Sequence, residues 1–271
     1  MIGWPVQPVC RGIEGGTAVP HRFTTFVAVG DSFTEGLEDL GPDGQVYRGW
    51  ADRLAELLAA DAPEFRYANL AVRSRKMLEI LTDQVPIAAA MKADLVTLCA
   101  GTNDIIRPGS DPDRIAALFD DAATQLAAAG SHVVIFTGMD TKGTPVLGRL
   151  RGKIATYNGH LRAIADKHGA TVVDLWPLDM LRDSRAWAAD RLHPSPEGHR
   201  RLALLVADRL GVKADSWNDP WPPAVPLGGL ARRQQDLRWA KDFFMPWIGR
   251  RLRRVHSGDG LTAKRPELGE L

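Results

Sequence analysis

The sequence predicts an α/β protein in which a parallel sheet is covered by helices on both faces. Short apolar, β-rich runs alternate along the chain with helical patterns of about 11–20 residues, which is typical of βαβ units. Such units have parallel strands and right-handed crossovers. The chain has 271 residues, 45% of them hydrophobic and 25% charged, as in an ordinary globular protein with a sizeable core.

Five segments have the composition of buried strands. Each is a short run rich in apolar or β-branched residues, and the first and third run into a glycine. The predicted strands are Phe26–Val29, Phe65–Leu70, Asp94–Ala100, His132–Thr137 and Thr171–Leu175. We therefore expect a five-stranded parallel sheet.

Five further segments have helical spacing, and two of them carry clear boundary signals. Asp111 is placed to cap a helix with Pro112 in its first position and Gly130 after its end. Ser195 is placed in the same way before the last of the five. The predicted helices are Trp50–Ala60, Lys76–Ile87, Asp111–Ala129, Leu150–His168 and Ser195–Leu210.

The two ends of the chain differ from this α/β region, which spans residues 23–211. Residues 1–22 contain Gly and Pro without periodicity, and we predict a disordered leader. Residues 212–230 form a Pro-rich linker in this interpretation, because four prolines fall within them. Residues 231–271 are predicted to be a basic amphipathic helical extension whose tail, from Ser257 onward, is disordered.

Composition also argues against several classes of protein. The formal net charge of +1 gives no general attraction to nucleic acid, and no apolar run is long enough for a membrane span. The first residues lack the basic and apolar regions of a secretory signal. With only Cys10 and Cys99 available, a disulfide framework is not expected. We therefore expect a cytoplasmic protein.

Polar residues follow the predicted strands where ligands bind in parallel α/β sheets, beyond the carboxyl ends of the strands. Ser32 offers a hydroxyl nucleophile and His193 a base. Asp190, three residues earlier, is placed to orient that base, and Asn103 offers an amide donor. These are the groups that ester hydrolysis requires.

Three segments resemble conserved blocks of a known enzyme family. Gly30–Gly36 (GDSFTEG), Gly101–Asp104 (GTND) and Asp190–Pro194 (DRLHP) are similar to the first, third and fifth blocks of the SGNH (GDSL) hydrolases. They occur in the family's order, and the resemblance covers roughly residues 23–211. It implies a flavodoxin-like three-layer sandwich around the five-stranded parallel sheet, to which this chain adds its helical extension.

The resemblance also implies a role for each site residue. Ser32 would be the nucleophile, His193 the general base and acid, and Asp190 the carboxylate that orients His193. The oxyanion hole would combine the backbone N–H groups of Ser32 and Ala71 with the side chain of Asn103. The family usually has Gly at the position of Ala71, which puts that donor in doubt if the position requires a positive φ.

The remaining residues of the three blocks are assigned supporting roles. Asp31 is interpreted as tightening the turn or anchoring the active-site loop, and Asp104 as a hydrogen-bonding partner. Gly101 ends the third strand.

The implied activity is hydrolysis of carboxylic esters through an acyl-serine, with no metal and no organic cofactor. A metallohydrolase would need more His and Asp ligands at the strand ends than the chain offers. Two alternatives stay open. One is an O-acetylesterase or acyltransferase acting on a carbohydrate or metabolite with the same triad; the other is a weakly active interaction protein that uses the basic extension.

The extension itself has three interpretations. Residues 231–256 contain seven Arg and one Lys against two Asp, with apolar residues at helical spacing and Pro246 dividing the segment into two helices. It could pack on the catalytic domain, dock on anionic lipid, or form a lid over the acyl pocket. The lid would use Trp239, Phe243, Phe244 and Trp247. A nucleic-acid partner is not expected without a recognition motif, and the oligomeric state stays open.

Overall fold

A computed structural model of the chain describes residues 23–144, 147–223, 228–252 and 257–271. The predicted leader, residues 1–22, lies outside the described residues. A central six-stranded sheet has the order β5-β4-β3-β1-β2-β6. The strands are β1 (Thr25–Gly30), β2 (Arg66–Asn69), β3 (Leu95–Cys99), β4 (His132–Phe136), β5 (Thr171–Val173) and β6 (Arg265–Gly269). Strands β1 to β5 are parallel, whereas β6 runs antiparallel to β2.

Helices connect the strands and cover both faces of the sheet. The α-helices are α1 (Ser32–Glu35), α2 (Gly49–Ala59), α3 (Met77–Glu79), α4 (Val85–Met91), α5 (Thr102–Ile105), α6 (Pro112–Ala128), α7 (Arg151–His168), α8 (Pro196–Arg209), α9 (Gly229–Trp239) and α10 (Met245–Leu252). A π-helical turn, Ile80–Gln84, joins α3 to α4, and another, Ala240–Phe244, joins α9 to α10. This arrangement confirms the predicted α/β fold class.

Strand β1 lies in the middle of the sheet and contributes to two hydrophobic cores. Val27 and Val29 belong to one core, while Phe26 and Ala28 point to the other. Helices α3, α4, α6 and α7 supply the first core, and α2 and α8 supply the second. Since successive side chains of a strand point to opposite faces, a strand buried on both sides must be apolar at nearly every position.

The predicted helix boundaries are confirmed at the two capped helices. The Asp111 carboxylate accepts the N–H of Asp113 at 3.0 Å, and Pro112 is the first residue of α6. The Ser195 hydroxyl accepts the N–H of Gly198 at 3.1 Å at the start of α8. Pro246 also lies where one α-helix gives way to the next, although a π-turn rather than a break joins them.

The prediction of a disordered tail is wrong, and so is the strand count of five. Residues 265–269 form β6, which pairs with the outer edge of β2. The segment is polar and carries no strand-like alternation. Main-chain hydrogen bonding to β2 does not depend on an apolar pattern, so the composition of an edge strand gives little sign of its structure.

The predicted linker also needs correction up to residue 223. The guanidinium carbons of Arg185 and Arg201 lie 5.1 and 3.9 Å from the centre of the Trp221 ring. The indole N–H of Trp221 donates to the Met180 carbonyl at 3.3 Å. This part of the Pro-rich segment therefore packs on the α/β region. The proline content that indicates a linker also suits an extended segment held by one aromatic side chain.

A buried lysine fastens the C-terminal segment to the rest of the protein. The ammonium of Lys264 donates to the carbonyls of Glu35 at 2.7 Å, Tyr47 at 2.8 Å and Arg48 at 3.1 Å, and also to the carboxylate of Asp52. Burial lowers the pKa of Lys264 and raises that of Asp52, while their mutual attraction opposes both shifts. Every N–H of the ammonium has an acceptor.

We predict that Lys264→Met destabilises the protein by about 3–5 kcal/mol, because it leaves the Asp52 charge buried without its partner. The free energy of unfolding in urea measures the loss. Lys213→Met, which removes an exposed ammonium, is the control and should change it by less than about 0.5 kcal/mol. Equal stability of the two variants would show that Lys264 does not anchor the tail.

Candidate active site

Ser32, His193 and Asp190 meet at the carboxyl end of the parallel strands, as the sequence predicted. The Nε2 atom of His193 lies 2.9 Å from the Ser32 hydroxyl, and its Nδ1 atom lies 2.6 Å from an Asp190 carboxylate oxygen. Ser32 begins α1 directly after β1, whereas the other two residues lie in the loop before α8. The side chains of His193 and Asp190 are each 14% exposed, so the site is recessed but open to solvent.

The position of Ser32 follows from a tight turn between β1 and α1. The Asp31 carboxylate caps this helix by accepting the N–H of Phe33 at 3.1 Å, and α1 ends after one turn at Gly36. A side chain at Gly30 would collide with the carbonyl of Cys99 in the neighbouring strand. The turn therefore requires glycine before the capping aspartate.

A buried glutamine, which the sequence analysis missed, holds this turn from the other side. The Gln84 side chain accepts the N–H of Gly30 and donates to its carbonyl, both at 2.9 Å. Gln84 is the last residue of the π-turn between α3 and α4 and is 5% exposed. A glutamine among the apolar residues of this helical segment was the only signal in the sequence.

The histidine loop is organised by Asp190 itself. One Asp190 oxygen accepts the N–H groups of Leu192 at 2.9 Å and His193 at 3.0 Å, leaving the other for the imidazole. Burial raises the pKa of Asp190, but its hydrogen bond with His193 and the histidine's charge outweigh this, and the pKa lies below its ordinary value. An ionised Asp190 favours the tautomer with hydrogen on Nδ1, so Nε2 is free to accept a proton from Ser32.

Helix α9 contacts the same loop. The indole N–H of Trp239 donates to the Asp190 carbonyl at 2.7 Å. Asp236 pairs with Arg191 at 2.7 Å, and the Arg191 guanidinium lies 5.2 Å from the Trp239 ring centre. Arg191 has a φ of 59°, an uncommon conformation for a residue with a side chain, and these contacts hold it.

Aromatic stacking extends this contact along the helical extension. Phe244 stacks on Trp239 and Trp247, with ring centres 5.5 and 6.1 Å apart. The lid interpretation named these three residues and Phe243. Of the four, Trp239 has a hydrogen bond to the catalytic loop, and the lid itself stays a prediction.

The three predicted oxyanion donors are in different situations. Within the described residues, the Ser32 N–H meets no hydrogen-bond acceptor. The Ala71 N–H donates to the Asn69 side chain at 3.1 Å. The amide of Asn103 donates to the Asp31 carboxylate at 2.9 Å and to the Arg75 carbonyl at 3.1 Å. The oxyanion roles of Ala71 and Asn103 therefore stay predictions that require these donors to be redirected or shared.

Replacing the family's usual glycine by Ala71 costs no backbone strain here. Glu38, Ser74, Lys92 and Arg191 are the described non-glycine residues with positive φ, so Ala71 is not in the left-handed region. The concern raised by the sequence therefore does not apply to this conformation.

Asp31, Gly101 and Asp104 all have structural contacts close to the triad. Burial raises the pKa of Asp31 to about 6, although the Phe33 N–H and His193 lower it. An Asp104 oxygen accepts the N–H of Met77 at 2.9 Å and so ties α5 to α3. Gly101 has a φ of 96° and leaves room for the ring of Tyr157.

A second histidine near the site is buried and neutral. His199 Nδ1 accepts the N–H of Trp50 at 3.1 Å, and its Nε2 donates to the Leu37 carbonyl at 3.0 Å. Burial lowers its pKa to about 4. His199 therefore joins α8 to α2 without taking part in the triad. Across the described residues, no three His, Cys, Asp or Glu side chains are grouped to hold a metal ion.

An α/β fold that brings a serine, a histidine and an aspartate together at the carboxyl ends of its strands has the geometry of a hydrolase site. Residues 28–201 match the GDSL-like lipase/acylhydrolase family, and the chain belongs to this family. It is accordingly a carboxylic ester hydrolase. A comparison with the sequences of curated proteins found no significant match.

Solved structures of several hydrolases share the fold. LAE5, an α/β hydrolase from the metagenome of Lake Arreo, is 20% identical with a TM-score of 0.58, over 70% of this chain and 95% of its own. Axe2, an acetylxylan esterase from Geobacillus stearothermophilus, is 22% identical with a TM-score of 0.56, over 72% and 95%. The psychrotrophic esterase EstA from Pseudoalteromonas sp. is 16% identical with a TM-score of 0.56, over 69% and 97%. At these identities the likeness establishes the fold.

Two buried groups near the triad make opposite contributions to stability as the pH changes. His199 has a folded-state pKa of about 4, below its ordinary 6.5, so its contribution is present above pH 6.5 and is lost as the pH falls toward 4. Asp31 has a folded-state pKa of about 6, above its ordinary 3.8. Its contribution is therefore present at low pH and is lost as the pH rises through 6.

We predict that His199→Gln is less stable than the wild type at about pH 7.5 and that the difference shrinks by about 2–3 kcal/mol at about pH 4.5. The cause is the proton that only the unfolded wild type takes up at His199 in this range. Urea unfolding at the two pH values measures it, with His160→Gln as the control for loss of a partly exposed imidazole outside the site. A difference independent of pH would contradict a neutral, buried His199.

Proposed function

We propose that the protein hydrolyses carboxylic esters through an acyl-enzyme on Ser32. The observation that carries the proposal is the position of the His193 imidazole, within hydrogen-bond distance of both the Ser32 hydroxyl and the Asp190 carboxylate. A serine hydroxyl is a weak nucleophile at neutral pH, and an adjacent, oriented base activates it.

The reaction has two halves. His193 Nε2 takes the Ser32 proton as Oγ attacks the acyl carbon, and the protonated imidazole then gives that proton to the leaving alcohol. Water enters, and His193 removes a proton from it as its oxygen attacks the acyl carbon. The protonated imidazole then returns that proton to Ser32 Oγ as the bond to the acyl group breaks and the carboxylic acid leaves. Asp190 stays ionised throughout and stabilises the imidazolium that forms in each half.

The negative charge of each tetrahedral intermediate needs donors beside Ser32. The Ser32 N–H is available for this, and in the proposal Asn103 turns from the Arg75 carbonyl or shares its N–H with the oxyanion. The Asp31 carboxylate continues to hold the other N–H of the Asn103 amide. This gives Asp31 a positioning role in addition to capping α1.

The same chemistry would suit an acetylated carbohydrate, and one comparison favours that alternative. Axe2, whose fold this chain shares, is an acetylxylan esterase. Beyond β4 and β5, Arg151 pairs with Asp140 at 2.6 Å and lies 5.0 Å from the centre of the Trp176 ring. A charged, aromatic surface of this kind is able to bind a sugar as well as the polar end of a lipid.

We predict that the wild type hydrolyses p-nitrophenyl esters and that Ser32→Ala lowers kcat/KM by at least about 10⁴-fold, because it removes the nucleophile. Activity across acyl chains from acetate to palmitate, and with acetylated xylo-oligosaccharides, selects between the two substrate classes. Ser216→Ala is the control, since Ser216 is in an exposed stretch after α8.

A serine-directed fluorophosphonate tests the covalent step directly. Mass spectrometry should find one adduct on Ser32 in the wild type and in Ser216→Ala, and none in Ser32→Ala. Turnover that survives in Ser32→Ala would overturn the acyl-serine mechanism.

We also predict that Asn103→Ala lowers kcat by about 10²–10³-fold with a smaller effect on KM, which is the usual result of losing an oxyanion donor. Steady-state kinetics on the best p-nitrophenyl ester measures it, and circular dichroism checks the fold. An unchanged kcat would restrict Asn103 to anchoring the Asp31 carboxylate and the backbone at Arg75.

A further inference from the structure

The helical segment Gly229–Leu252, called here the C-terminal helix, leaves a row of apolar side chains uncovered. Leu230, Leu237 and Met245 are 73%, 72% and 61% exposed, the highest values among the large hydrophobic side chains of the described residues. The segment consists of α9, the π-turn and α10. No described helix has the length and apolarity of a membrane span. A contiguous row of exposed apolar side chains on a surface helix is a candidate interaction site.

The apolar row lies on the side of the helix that faces away from the catalytic domain. Leu230 and Leu237 are seven residues apart and share one face of α9. Trp239, which contacts the catalytic loop, lies about 200° around the helix from Leu237. The π-turn contains one residue more than an α-helical turn. Met245, eight positions after Leu237, therefore returns to about the same side of the helix as Leu237.

Basic residues flank this row. Between residues 228 and 252 there are six Arg or Lys and two Asp, although the whole chain carries a net charge of only +1. One of the two acidic side chains, Asp236, is paired with Arg191, on the side of the helix that contacts the loop carrying Asp190 and His193. Arg233 and Arg238 lie on either side of Leu237 when the sequence is projected on α9. An exposed helix with an apolar row flanked by basic side chains is complementary to a surface in which anionic groups overlie an apolar interior.

We propose that the C-terminal helix docks the enzyme on an anionic phospholipid surface. Leu230, Leu237 and Met245 enter the boundary between headgroups and acyl chains, and Arg233 and Arg238 bind the headgroup phosphates. Such helices lie in the plane of the membrane, with the polar side chains toward the headgroups.

Docking in this orientation would place the triad close to the lipid. The opposite side of the same helix donates the Trp239 N–H to the Asp190 carbonyl, so about one helix diameter separates the catalytic loop from the docked face. The inferred substrates are therefore water-insoluble acyl esters held in or at the membrane. This last step rests on the proposed esterase function, whereas the docking itself does not.

Binding is tested with Ser32→Ala protein, which cannot consume lipid by the proposed mechanism, and with the wild type in parallel. Both are expected to sediment with phosphatidylcholine vesicles that contain about one third phosphatidylglycerol, and to stay in solution with pure phosphatidylcholine. Binding should fall as salt screens the phosphates. Binding to both vesicle types alike, or to neither, would overturn the proposal.

Two double variants separate the C-terminal helix from general surface charge and apolarity. Arg233→Gln with Arg238→Gln should lower the partition constant at least tenfold, since each basic residue near an anionic surface contributes about 1 kcal/mol. Arg114→Gln with Arg209→Gln removes the same charge from α6 and α8 and should change it less than twofold. Leu237→Ser should weaken binding, whereas Ile87→Ser, also exposed, should not. Equal effects of the two double variants, or of the two single variants, on vesicle binding would overturn the assignment of docking to this helix.

Light scattering of the wild type and Leu237→Ser tests whether a second copy of the chain covers the row instead. A wild-type dimer that Leu237→Ser dissociates would overturn lipid docking. Hydrolysis is then compared for a soluble ester and the same acyl group held in anionic vesicles. Vesicle binding without turnover of either ester would reject the esterase function but keep the docking. Turnover of the soluble ester without vesicle binding would keep the esterase function but reject the docking.

Discussion

The active site depends on how the central strand β1 ends. The chain must leave the middle of a closely packed sheet, turn within one residue and begin a helix that presents Ser32. The turn requires Gly30, because a side chain at this position would collide with the Cys99 carbonyl. The Gln84 side chain forms hydrogen bonds with both the N–H and the carbonyl of Gly30. Asp31 then caps α1, and the same carboxylate holds Asn103. One turn therefore positions Ser32, the proposed nucleophile, and, through Asp31, a candidate oxyanion donor.

The polar groups around this turn are buried, and each is balanced by specific partners. Asp31 has two N–H donors, His199 has one donor and one acceptor, and Lys264 has three carbonyls and a carboxylate. Desolvation disfavours the charged form of each group, and the hydrogen bonds offset part of that cost. His199 responds by staying neutral, whereas Lys264 stays paired with Asp52. These contacts join α1, α2 and α8 into one support for the triad.

C-terminal residues contact both the helix that begins with Ser32 and the loop that carries Asp190 and His193. Helix α9 contacts the loop that carries Asp190 and His193, through Trp239 and Asp236. Lys264, just before β6, donates to the carbonyl of Glu35, the last residue of the helix that begins with Ser32. The extension is thus an integral part of the catalytic domain's structure, and its exposed apolar row lies on the side opposite these contacts.

The sequence alone determined the α/β class, the parallel strands and the three residues proposed as the triad, because these depend on local signals. Apolar runs, the caps at Asp111 and Ser195 and the three blocks at strand ends are all contained in short stretches of residues. Only the tertiary structure decided the role of Gln84, the donors already used by Asn103 and Ala71, and the ordered tail with β6. Each of these depends on a partner at least 28 residues away along the chain or on the geometry of a turn; Gln84 and Gly30, for example, are 54 residues apart. Polar residues such as Lys264 show no periodic pattern, and their burial follows from acceptors that only the folded chain brings together.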